Sequence, residues 1–84
     1  MTKCKKGDLV AIQWRDAASY DRWQDTSAGA ALKPIECTTV GWVLKKTKRY
    51  ITVEHTRTAD RESTACVMTI PFDWMTKIRR LRKA

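Results

Sequence analysis

The sequence predicts one small all-β domain built from five short strands. Three observations lead there. An alternating apolar run follows Gly7-Asp8, β-branched runs recur at 38–44, 50–56 and 64–70, and short polar or proline-bearing links separate them. With 84 residues there is room for a single domain, 1–84, near the lower size that a hydrophobic core alone sustains. Four tryptophans in so short a chain are efficient filling for such a core.

Gly7-Asp8 supplies a turn, and Val10, Ile12 and Trp14 then alternate with Ala11 and Gln13, the period of a half-buried first strand. Residues 15–36 break that period. Asp16, Asp21 and Asp25 stand among Ala, Ser and Thr, with Gly29 and Pro34 towards the end, which reads as a long loop. Within it, 17–23 can form a helical turn that puts Tyr20 and Trp23 on one face. Trp23 is then either a plug that packs the loop down or an aromatic held out for a partner, with the plug expected first.

The second strand, 38–44, has Gly41 in its middle, the mark of a bend or a close backbone approach. The charged link 45–49 joins it to a third strand, 50–56, as a hairpin. A polar loop at 59–63 precedes the fourth strand, 64–70. Pro71-Phe72-Asp73-Trp74 ends that strand and starts a tight helical turn, since proline has no ladder donor and suits a first helical position. A short last strand covers 75–81. Trp74 is expected in the core, whereas Tyr50 is either a core residue or, like an exposed Trp74, an aromatic able to stack on unpaired bases.

Composition narrows the chemistry. Seventeen Lys and Arg against nine Asp and Glu give a net charge of +8, an excess that attracts polyanions. Cys4, Cys37 and Cys66 are odd in number and far apart, with no C-x-x-C pair and one histidine, so neither a disulfide framework nor a zinc site is expected. Cys37 and Cys66 read as small hydrophobes inside strands and Cys4 as part of the N-terminal lead-in. Residues 1–6 are polar, no signal-peptide core follows, and no apolar run is long enough to span a bilayer. Reduced thiols and no leader point to the cytoplasm of a cell.

Catalytic residues are not evident. His55, the one imidazole, shares a strand face with Ile51 and Val53 and reads as a strand histidine. Asp8, Asp16, Asp21 and Asp25 fit no calcium-loop spacing, and no phosphate-cradling glycine loop exists. The expectation is a non-enzymatic protein with no metal and no cofactor.

The element order resembles the small SH3-like barrels, whose long first loop occupies the position of 15–36 and whose helical turn precedes the last strand. The stretch 40–81 also resembles the Sm-like variant of that barrel, with its bent glycine-bearing strand and its Ile70-Pro71 closing hairpin. Across nearly the whole chain, Val10-x-Ile12-x-Trp14-Arg15-Asp16-Ala17, Trp23, Thr39-Val40-Gly41-Trp42, Ile70-Pro71 and Ile78-Arg79-Arg80-Leu81 resemble small proteins of tailed bacteriophages and prophages. That resemblance implies a phage setting and supplies no activity. The SH3-like resemblance implies that the first and last strands are neighbours.

Cations cluster at Lys3, Lys5 and Lys6, at Lys45, Lys46, Lys48 and Arg49, and at Lys77, Arg79, Arg80, Arg82 and Lys83. Adjacent first and last strands would merge the terminal groups into one basic face. The first reading is therefore nucleic-acid binding, with Lys45, Lys46, Lys48, Arg49, Lys77, Arg79, Arg80 and Arg82 contacting phosphates. The second is a protein-binding adaptor or inhibitor that docks on an acidic surface of a host protein through Tyr20 and Trp23. Self-association through open sheet edges is a third, and no membrane partner is expected.

Overall fold

The computed structural model describes residues 3–84, leaving Met1 and Thr2 outside the account. Five strands form one antiparallel sheet: β1 (Leu9–Asp16), β2 (Ile35–Lys46), β3 (Tyr50–Arg57), β4 (Thr64–Pro71) and β5 (Met75–Arg82). Their spatial order is β4-β3-β2-β1-β5, and a 3-10 turn, Phe72–Trp74, precedes β5. The all-β prediction, the strand count and the position of this turn agree with the structure. One helix, α1 (Thr26–Ala30), lies in the long loop.

The sheet bends at β2. The N-terminal part of that strand pairs with β1, from Asp16↔Ile35 to Leu9↔Trp42, and the remainder with β3, from Trp42↔Glu54 to Lys46↔Ile51. Gly41 sits at the crossing, where a Cβ would lie 2.7 Å from the Glu54 carbonyl oxygen. Any side chain there would wedge the strands apart. Beyond the crossing β2 leaves β3, and the His55 ring takes up the Val40 carbonyl through Nδ1 at 2.7 Å. His55 is thus an exposed strand histidine and does not share the burial of Ile51 and Val53.

The core lies in the fold of this bend. Val10, Ile12 and Trp14 of β1 meet Val43, Ile51, Val53 and Ile70, with Phe72, Met75 and Ile78 packed around them. Burial of each of the three isoleucines contributes on the order of 1.5–3 kcal/mol. Trp14 donates its indole N–H to Thr39 Oγ1 at 3.0 Å, so the one buried heteroaromatic donor of this layer is satisfied.

Several sequence expectations are corrected. Cys4 belongs to the core, because the segment before β1 runs back along β2: Gly7 N–H donates to the Val43 carbonyl, and Lys46 Nζ to the Cys4 carbonyl. Cys66 is exposed and in the left-handed region, φ 56°, and the stretch 64–69 is exposed throughout, since β4 joins the core only at Ile70. Trp74 is half exposed and stacks on Trp14 at 6.3 Å between centroids, covering the core from outside rather than filling it. Tyr50 is half-buried, with the Lys45 ammonium 5.8 Å from its ring centroid.

The loop differs most. Strand pairing extends into it through Arg15↔Glu36 and Asp16↔Ile35, and its helical turn falls at Thr26–Ala30 instead of 17–23. Trp23 is fully exposed and Tyr20 is exposed, so neither plugs anything. The physical reason is reach: the core ends at Trp14, and no residue of 15–36 packs against it. The molecule is accordingly long, 52 × 27 × 20 Å, with a radius of gyration of 15.9 Å, against about 12 Å for a compact chain of this size.

Candidate nucleic-acid interface

β1 holds the site together because it pairs on both sides, with β2 and with β5. Ala11↔Arg79 and Gln13↔Lys77 place Lys77 and Arg79 on the outward side of the sheet, around a shallow concavity completed by Thr38. Ala11 is small, which leaves this concavity open between the two cations. The intervening Ile78 lies opposite Ile12 and turns to the core. Alternation along β5 thus separates cation from apolar side.

A shift of register between Leu9 and Val10 places Arg82 opposite Leu9, which on its other side faces Trp42. There a second concavity of about 200 Å³ is lined by Gly7, Leu9, Trp42, Arg57, Arg61, Arg82, Lys83 and Ala84. The Arg57 guanidinium stacks over the Trp42 ring at 4.1 Å from its centroid. No acidic side chain lines this hollow, and among the described residues none of its four cationic side chains is ion-paired.

Asp8 fixes the geometry of this end. Its buried carboxylate accepts the backbone N–H of Lys5 at 3.0 Å and of Ala84 at 2.8 Å, with the Arg80 guanidinium 3.9 Å away. The hydrogen bonds from Lys5 and Ala84 hold its pKa below the usual aspartate value, with Arg80 adding a smaller effect in the same direction. Arg80 therefore faces the closure of the chain ends, on the opposite side of β5 from Lys77 and Arg79.

The loop that carries Arg61 is equally specified. Asp60 accepts from the Thr58 hydroxyl at 2.6 Å and from Glu62 N–H at 2.9 Å, and these bonds lower its pKa, the hydroxyl first. Thr58 and Ser63 close the turn with further bonds, and Arg61 is held at φ 63°. Holding a non-glycine residue there costs about 1 kcal/mol or more, which the turn's bonds offset.

The hairpin cations fall elsewhere. Lys45 lies opposite Thr52 on the β2–β3 half of the bent sheet, Lys46 binds the N-terminal segment, and Lys48 and Arg49 sit in the turn whose backbone Thr47 caps. The sequence reading missed Arg57, Arg61 and Trp42 as site residues. Their only sequence signal was charge beside an aromatic strand, and register alone brings them to Arg82.

The residues 15–36 carry three cations and four acids, so the remainder of the chain holds a net +9. Seven residue steps of β1 separate Leu9 from Asp16, roughly 23 Å at strand rise. Positive charge gathers at one end of that axis and the acidic loop projects from the other. The described residues include no group of three His, Cys, Asp or Glu able to hold a metal, and no helix long and apolar enough to cross a membrane. Comparison of the chain with protein-family models, curated proteins and solved structures returns no match.

Proposed function

We propose that this chain is a non-enzymatic nucleic-acid-binding protein that contacts phosphates through the outward side of β5, β1 and β2. The observation that carries the reading is the double pairing of β1, which lines up Lys77, Arg79 and Arg82 and adds Arg57, Arg61 and Lys83 beside Trp42. From Lys77 to Arg82 is five residue steps, roughly 17 Å, a length that spans about five phosphates of one strand. The phage resemblance and the free thiols support a role in a bacterial cytoplasm, where an exposed thiol such as Cys66 stays reduced.

The test is a mobility shift with single- and double-stranded DNA and RNA at about 50 mM salt, a range in which phosphate-neutralising contacts dominate. Retarded bands that disappear in Lys77→Gln/Arg79→Gln support the proposal. No retention of any of the four nucleic acids removes it.

One observation favours a second reading, a protein-binding adaptor or inhibitor docking on a host protein. Trp23 is fully exposed at the projecting loop, and exposed tryptophans are disproportionately binding anchors. A nuclease-treated pull-down from bacterial lysate separates the two. A stoichiometric protein retained by the native chain and lost with Trp23→Ala, while thermal stability changes by less than about 0.5 kcal/mol, supports docking through this loop.

A further inference from the structure

Four cationic side chains in one concavity, none ion-paired among the described residues, repel each other, and a fold keeps such an arrangement where an anion offsets it. The hollow beside Trp42 is built rather than incidental. The Arg57 guanidinium carbon lies over the Trp42 ring, 4.1 Å from its centroid, which fixes one cation at the wall of the hollow. Arg61 is presented by a turn with four side-chain hydrogen bonds to Thr58 or Asp60. Arg82 and Lys83 arrive from β5, whose end Asp8 ties down through Ala84.

Resting on the nucleic-acid reading above, we propose that this hollow receives the terminal phosphate monoester of a nucleic-acid strand. Two features distinguish an end from a passing backbone. An internal phosphodiester brings one negative charge, whereas a monoester brings about 1.5 to 2 near neutral pH, a better match to four cations. The hollow is also bounded by four stretches of chain: 7–9, Trp42, 57–61 and 82–84. Its volume of about 200 Å³ equals the share of roughly six or seven waters. That admits one hydrated phosphate group. The shallow site at Lys77 and Arg79, two residues further along β1, then receives the following backbone.

The experiment compares one oligonucleotide sequence in three forms: 5′-phosphorylated, 3′-phosphorylated and with both ends hydroxyl, by fluorescence anisotropy with an internal label. The expected result is that one phosphorylated form binds about tenfold tighter than the hydroxyl form, the effect of one or two charge-assisted hydrogen bonds. That advantage is lost in Arg61→Gln and in Arg82→Gln, both exposed positions, and is kept in the charge-matched control Arg22→Gln in the acidic loop. It also shrinks from pH 7 to pH 5 as the monoester takes up its second proton near pH 6. Equal binding of the three forms overturns the end-phosphate site and leaves the nucleic-acid reading standing. A preference that survives Arg61→Gln and Arg82→Gln overturns the assignment to this hollow. Failure to bind any form overturns both.

Discussion

Replacing Lys77 and Arg79 together by glutamine addresses the nucleic-acid reading at its centre. Both side chains are exposed, and neither is ion-paired among the described residues, so the fold loses little. The proposed face holds six cations, Arg57, Arg61, Lys77, Arg79, Arg82 and Lys83. Full engagement of a duplex by six cations gives a log–log salt slope of about −5, and removing two leaves about −3.6. Between roughly 50 and 200 mM salt the native protein then loses about a thousandfold in affinity and the variant about 150-fold. Anisotropy titrations of a labelled duplex at four salt concentrations measure both slopes. The control is Lys45→Gln/Lys48→Gln, which removes the same charge from the hairpin, outside the proposed face, and is expected to leave the slope unchanged. If both double variants lower the slope equally, binding follows net charge and the face argued here does not exist.

Further outcomes follow from the fold. Gly41→Ala places a Cβ 2.7 Å from the Glu54 carbonyl oxygen and 3.2 Å from Val53 Cβ. Neither neighbour is a flexible chain end, so the loss is about 3 kcal/mol, or roughly 15 °C in Tm. Gly29→Ala in α1, which meets only the Gln24 side chain at 3.8 Å, is expected to be neutral in the same melting experiment. Asp8 has a folded pKa below its ordinary 3.8, so its contribution is fully present above that value and is lost as pH falls through the folded pKa. Thermal melts between pH 5 and pH 2 are expected to steepen below pH 4 in the native chain and to be flatter in Asp8→Asn; parallel curves would show that Asp8 does not couple to folding.

The strands were legible in the residues. The alternation of Val10, Ile12 and Trp14, the β-branched runs, Gly41 and Ile70-Pro71 each act through local geometry: side-chain direction, a missing Cβ, a missing N–H. Local geometry also dictated that Lys77 and Arg79 share a side, being two apart on one strand. Burial was less legible. Trp23, Trp74 and Cys66 were all misplaced, because an indole or a thiol is buried only where the core reaches it. The end of the core at Trp14 and the return of residues 3–7 along β2 are not local properties.

By itself, then, the sequence determined the class of fold, the order of its elements, and the excess of positive charge. The meeting of Arg57, Arg61, Arg82 and Lys83 around Trp42 was decided only by tertiary structure. It depends on β1 pairing at once with β2 and β5, and on a one-residue shift between Leu9 and Val10. Pairings across as many as 33 and 73 residues are set by which apolar sides can be buried together. The positions of the charges follow from that burial, since repelling cations contribute nothing to drawing the strands into place.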